Sequence, residues 1–162
     1  MLPKAWAAFR LATQIWGQDA AAGDARAAHE KGMLFPIGAP NDAFARYFIG
    51  QSYLAPVSTA QVPIFNVTFE PGCRNNWHTH QATSGGGQLL ICINGRGYYQ
   101  QRGQAARQLA PGDVVNIPAG VEHWHGAAAD SWFSHLALEV PGTDGHTDWG
   151  APVTDAEYAR LP

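Results

Sequence analysis

The sequence predicts an all-β fold, an antiparallel sandwich or barrel, with a helical extension in front and a short helix behind. Three observations predict it. From near Phe35 to about Val140 the chain is a series of short apolar runs divided by Gly, Pro and Asn: IFNVTFEPG, QLLICING, RGYYQQRG, QLAPGDVVNIP and SWFSHLALEVPG. Runs of that length at intervals of roughly 10–15 residues are strands separated by turns. The 18 glycines and 11 prolines in 162 residues supply the turns that such a fold needs. Before and after this region the apolar pattern changes to that of helices.

Taken in order, residues 3–31 read as helical. Trp6, Phe9, Ala12 and Trp16 recur at spacings of three and four, which gives one apolar stripe. The Ala-rich stretch Ala20–Ala28 has high helix propensity, interrupted by Gly23. This stripe is expected to pack on a core or to serve as a dimerisation arm. The AAA at Ala20–Ala22 resembles an export cleavage site, but Arg10, Thr13, Gln14, Gln18 and Asp19 break the stretch before it. It lacks the apolar core of a signal peptide, so mature protein is expected. The domain plan is an extension over 1–44, a barrel over 45–142 and a tail over 143–162. Within the barrel, Asn94-Gly95 marks a tight turn between two strands. In the tail, Thr154 and Glu157 form a capping box that starts a short helix.

Composition narrows the function classes. A hydrophobic fraction of 46% and a charged fraction of 14% describe an ordinary folded domain. The net charge is −3 and the ten Lys and Arg are scattered, so neither a nucleic-acid stripe nor a polybasic membrane segment is expected. No run approaches the ~18 apolar residues of a membrane span. Two cysteines without a CxxC, Cys73 and Cys92, predict a reduced, cytoplasmic protein.

Five of the seven histidines fall in the strand-rich region: His78, His80, His123, His125 and His135. Residues i and i+2 of a strand share a face, so His78 pairs with His80 and His123 with His125. On the last strand, Phe133, His135, Ala137 and Glu139 share one face. If the sheet closes, these faces converge inward. Several buried imidazoles without partners are costly, and a divalent metal removes that cost. Metal binding is therefore expected. Parity also places Leu90, Cys92, Val115, Ile117 and Phe133 as apolar pocket walls, and makes Cys92 a packing residue. Tyr98 and Tyr99 are expected to pack, with one of them lining the pocket as the alternative.

Two spaced segments carry a resemblance. The first is Gly72, five residues, His78-Thr79-His80, an insert, Gln88, six residues and Gly95. The second is Gly112, five residues, Pro118-Ala119-Gly120, two residues and His123. Together they resemble the two motifs of the cupins, small jelly-roll β-barrels of two antiparallel sheets. The match spans about residues 62–140. HTH, HWHGAA and SHLALE are further similar to small bacterial cupins related to carboxymuconolactone decarboxylase-associated proteins, a group that includes manganese-dependent hydroxynitrile lyases.

The resemblance implies metal ligands at His78, His80 and His123. The usual glutamate position falls on Gln88, as in the hydroxynitrile-lyase type, and the two further histidines of that type fall on His125 and His135. Seven residues, QATSGGG, separate His80 from Gln88, where the family has three or four, so Gln81 is the fallback ligand. The cofactor implied is a divalent metal, manganese first, with iron, nickel or zinc as alternatives. Three imidazoles and an amide leave the metal its full charge, which favours Lewis-acid chemistry over oxygen chemistry. The expected function is a metal-dependent lyase of hydroxynitrile-lyase type. It would act on a small carbonyl or hydroxy compound, with His125 or His135 moving the proton. For His125, a supporting role behind the ligands has equal standing. Alternatives are a decarboxylase, isomerase or dioxygenase, or a non-catalytic small-ligand binder. The expected partners are a small-molecule substrate and a second copy of the chain, as a homodimer or higher homo-oligomer.

Overall fold

The computed structural model describes residues 21–162. The chain divides into two units, at Gly32/Met33. In the first, a helix, α1, covers 21–31, with Arg26 and Glu30 paired at 2.9 Å one turn apart. The expected stripe of Trp6, Phe9, Ala12 and Trp16 lies outside the described residues.

The second unit is built on two antiparallel sheets, with strands numbered along the chain. One sheet has the order β1 (Ala39–Pro40), β3 (Ser52–Ser58), β4 (Ile64–Phe69), β13 (Phe133–Glu139), β8 (Gln88–Gly95) and β11 (Val114–Ile117). The other runs β10 (Arg107–Leu109), β9 (Gly97–Gln101), β12 (Glu122–Ala127), β5 (Arg74–Asn75) and β2 (Phe48–Ile49). In that second sheet β6 (His78–Gln81) pairs with both β12 and β15 (His146–Trp149). A small ribbon joins β7 (Ser84–Gly85) to β14 (Gly142–Thr143). The architecture is a jelly-roll barrel. Its sheets reach past 45–142 on both sides, because β1 pairs with β3 and β15 with β6.

The barrel core lies between the sheets. Phe69, Leu90, Cys92, Val115, Ile117, Phe133 and Ala137 come from alternate positions of their strands, as a period of two requires. The five expected pocket walls are thus inward, and they pack on one another in the barrel core. A second cluster covers the outside of the histidine-bearing sheet. There Trp77, Tyr98, Trp124 and Val153 meet Tyr158 and Leu161 beside α2 (Asp155–Tyr158). Each fully buried side chain of this size contributes about 1.5–3 kcal/mol. Trp77 and Trp124 are one residue from a histidine and therefore on the opposite face, so they do not wall the site. The capping box of α2 is formed in both directions: Glu157 N–H donates to Thr154 Oγ1 at 3.1 Å, and Thr154 N–H to Glu157 Oε2 at 2.8 Å.

Asn94-Gly95 does turn the chain, but not into a hairpin. β8 pairs with β11 and β13, and β9 with β10 and β12, so the turn crosses from one sheet to the other. Gly95 has φ of +72°, and a Cβ there would sit 1.8 Å from the Trp132 carbonyl oxygen. Only glycine fits both conditions.

Candidate metal centre

β6 and β12 lie side by side, with His123 opposite His78 in register. Their inward faces carry His78, His80, His123 and His125, all buried. Across the barrel, β8 contributes Gln88 and β13 contributes His135, also buried. The six residues singled out in the sequence thus face one interior from both sheets. Ring-centre distances order them: His80 to His78 is 5.2 Å, His78 to His123 4.2 Å, His78 to His125 5.6 Å and His125 to His135 4.7 Å. They form a row that begins at His80 and ends at His135.

The tightest set of candidate ligand atoms is His78, His123 and His125, all within 4.8 Å of one another. His80 lies beside this set, 5.2 Å from His78 and 5.6 Å from His123 by ring centres, and Gln88 stands at the start of β8. The glycine insert does not disturb this register. Gly85, Gly86 and Gly87 take φ of +63°, +76° and +95° and hold the insert on the chain after β13, through β7 and the Gly86 N–H to Pro141 carbonyl bond of 3.1 Å. β8 then starts at Gln88, directly opposite Glu139. Gln81 turns the other way, with Nε2 donating to Asp148 at 3.1 Å.

Hydrogen bonds leave lone pairs pointing into the site. His78 Nδ1 donates to the Asn76 carbonyl and His123 Nδ1 to the Val121 carbonyl, each at 2.9 Å. In both rings the other nitrogen, Nε2, is then the free acceptor. Among buried polar atoms without a hydrogen-bond partner are His80 Nε2, His123 Nε2, Gln88 Oε1 and both ring nitrogens of His135. Orphaned acceptors at a buried centre are costly unless something binds them. Imidazole nitrogens with an amide oxygen are a donor set that first-row divalent ions accept. The residues present therefore fit a divalent cation.

Burial keeps the His78, His123, His125 and His135 rings neutral. Burial pushes His123 down to about 4, with the Val121 carbonyl opposing and His80 adding to the fall. His135 falls to about 4 for the same primary reason, with the Leu136 backbone opposing. His78 and His125 are pushed well below the usual range by burial and by the other histidines. Burial also raises both buried cysteines, Cys73 and Cys92, to about 12, so neither is a nucleophile.

Several site residues went unread in the sequence. Trp149 of β15 stacks on His78, with centres 4.8 Å apart, and on Tyr47 at 4.3 Å. Thr147 Oγ1 lies 3.3 Å from His80 Nδ1. Both come from the segment expected to be a tail. Asn75 grips His125: its Oδ1 accepts the His125 N–H at 2.9 Å and its Nδ2 lies 3.1 Å from Nε2. Tyr99, not Tyr98, faces the site, 5.7 Å from His123. Glu139 was placed on the His135 face but given no role. A cavity of about 330 Å³ opens beside His80 and Glu139, bordered by Gln81, Gly87, His146 and Thr147.

Comparison with known proteins decides the family. A family model described as a cupin domain matches residues 65–136. An (R)-mandelonitrile lyase from Granulicella tundricola is 40% identical over 120 residues, covering 72% of this chain and 88% of that one. The chain is a cupin. A cupin-like protein of Thermotoga maritima has a TM-score of 0.69 with 35% identity, over 80% of this chain and 96% of that one. A cupin 2 conserved barrel domain protein of Rhodopseudomonas palustris has a TM-score of 0.53 at 16% identity, over 69% of this cupin and 73% of its own chain. It shares the fold alone. In this cupin the histidines of both motifs stand on neighbouring strands, which is how two distant stretches of sequence make one candidate centre.

Proposed function

We propose that this cupin is a metal-dependent lyase of hydroxynitrile-lyase type that cleaves a small aromatic cyanohydrin to an aldehyde and hydrogen cyanide. The observation that carries it is His135. Its ring is fully buried, neutral and without a side-chain hydrogen-bond partner, and it faces the other histidines from the opposite sheet. A structural histidine would have a well-formed partner, where this ring has only the Leu136 backbone beside it. Supporting it is the 40% identity to a mandelonitrile lyase over most of that enzyme's length.

His78, His80, Gln88 and His123 would hold the cation, with His125 close enough to replace one of them. Manganese is the first choice. Bound there, a divalent ion supplies Lewis acidity toward the substrate's hydroxyl oxygen. The chain's own work is on the proton. A neutral His135 ring nitrogen accepts the hydroxyl proton as the oxygen becomes a carbonyl. The C–CN bond breaks with its electron pair on cyanide, and the imidazolium returns the proton to cyanide. Asn75 Nδ2, 3.1 Å from His125 Nε2, holds that ring beside His135, so that this proton stays between fixed groups. The cavity beside His80 is the approach from solvent; its volume sits at the small end of the ~300–1,000 Å³ of ligand pockets.

A second reading has an observation of its own. That cavity borders His80 and Glu139 while His135 is fully buried, which favours a binder of small ligands that never reach His135. Benzaldehyde release from racemic mandelonitrile separates the two. The lyase reading expects turnover by manganese-loaded protein that disappears after chelation and returns on reloading. Loaded protein that turns over neither aromatic nor aliphatic cyanohydrins would leave the binder.

A further inference from the structure

The carboxylate of Glu139 is outside the expected ligands and acid/base pair, yet it touches two of the ligands, from different strands. Its Oε1 accepts from Gln88 Nε2 at 3.2 Å, across the register pair of β13 and β8. Its Oε2 stands 3.4 Å from His80 Nδ1 on β6. We infer that Glu139 is a positioning residue whose two oxygens hold the His80 ring and the Gln88 amide with Nε2 and Oε1 free for one cation. The inference rests on the metal-centre reading for its consequence, though not for its geometry.

The chemistry of the acceptors makes this specific. An ionised carboxylate has no hydrogen to give. A ring nitrogen facing it must therefore carry the proton, which puts the His80 hydrogen on Nδ1 and the lone pair on Nε2. Thr147 cannot impose this from its 3.3 Å contact with the same Nδ1, since a hydroxyl both donates and accepts. The same logic turns the Gln88 NH2 toward Glu139 and its oxygen away. Both freed atoms, His80 Nε2 and Gln88 Oε1, are buried without a partner. The ligand set is neutral, and Glu139 returns a negative charge to it one contact further out. Such outer partners fix ring orientation and raise ligand basicity.

A glutamine at 139 has one acceptor and one donor. It can hold His80 or Gln88 in the ligand-ready orientation but not both, because its NH2 would oppose the other NH2 or N–H unless that ring changes tautomer or that amide turns over. Glu139→Gln should therefore release the clamp. The swap Gln88→Glu with Glu139→Gln should restore it. The new amide accepts from His80 through its oxygen and donates to the new carboxylate at position 88.

The test is nitrogen-15 imidazole NMR on metal-free protein, with manganese and zinc affinity measured by chelator competition. Wild type should show His80 protonated at Nδ1. Glu139→Gln should show mixed tautomers and bind metal about 10–100-fold more weakly. The swap should return His80 to the single tautomer. If Glu139→Gln does not fold, Glu139→Asp, one methylene too short to span both partners, carries the same readout. An unchanged His80 tautomer in the folded variants overturns the clamp. A lost tautomer in a protein whose wild type takes up no metal keeps the clamp and rejects the metal centre instead.

Discussion

His135 is where stability and function pull apart. A fully buried ring whose nitrogens make no well-formed hydrogen bond, with only the Leu136 backbone beside them, costs the fold free energy that an apolar side chain would not. Replacing His135 with Leu should therefore raise the thermal midpoint of the metal-free protein, or leave it unchanged. The same variant should lose about 10²–10⁴-fold in turnover, the usual worth of a positioned acid/base group, with metal content intact. Calorimetry, elemental analysis and cyanohydrin assay on one preparation check all three. Unchanged turnover would remove His135 from catalysis. This residue was legible from the sequence because i, i+2 parity on an alternating strand is short-range and strict. Glu139 shares that parity with His135 and was still passed over. A carboxylate near a strand end reads as solvent-facing, and its partners sit at positions 80 and 88, across two strand pairings that no local pattern reveals. Asn75, Thr147 and Trp149 were hidden for the same reason: their roles exist only through the pairing of β5 with β12 and of β15 with β6.

At the scale of elements, the turn after β8 decides whether the histidine sheet and the Gln88–His135 sheet face each other. Its Asn-Gly signal marks the turn in the sequence. A local pair of residues shows where the chain bends but not which sheet receives the next strand. The close approach of the Trp132 carbonyl oxygen to Gly95 is what commits the turn to cross between sheets. Gly95→Ala adds a methyl into that carbonyl at a left-handed φ. It should destabilise the fold by several kcal/mol, above the ~1 kcal/mol typical of a left-handed site with free space around it. Gly103→Ala is the control, with φ of +80° and nothing near its Cβ position. Denaturant unfolding of the two variants measures the difference. Equal losses would mean that the contact with Trp132 relaxes at no cost. The glycine insert makes the opposite point about legibility. It threatened the register of Gln88, yet three consecutive left-handed glycines fold it into a ribbon with β14, and β8 starts where the motif requires.

At the scale of the molecule, every resolved shift of a histidine or carboxylate among the described residues has the same sign. His29, His78, His123, His125 and His135 are all held low, with burial the first cause in each. Glu139 is held low as well: burial opposes it, but His80, the Gln88 amide and His123 outweigh burial. Asp113, Glu122 and Glu157 are lowered, chiefly by hydrogen bonds to the Ala110 backbone, Arg102 and the Thr154 backbone. For a histidine with a lowered folded pKa, the unfolded chain binds the proton first as pH falls. Its contribution is complete above the unfolded value of 6.5 and is lost between there and about 4 for His123 and His135. That span is worth on the order of 3 kcal/mol for each of the two. The lowered carboxylates lose their contribution at still lower pH, through their folded values, so they add to the same trend. The metal-free protein should therefore be most stable above pH 6.5 and lose a large part of a typical ~5–15 kcal/mol on reaching pH 4. Bound metal competes with protons for the ligand nitrogens, His123 among them, so loading should move that part of the loss to lower pH and leave the His135 part in place. Urea unfolding from pH 8 to 4, with and without manganese, measures both effects. A metal-free midpoint that stays flat down to pH 4 would mean that the interior histidines meet water or partners in solution. A loss that manganese does not shift would mean that these nitrogens are not its ligands.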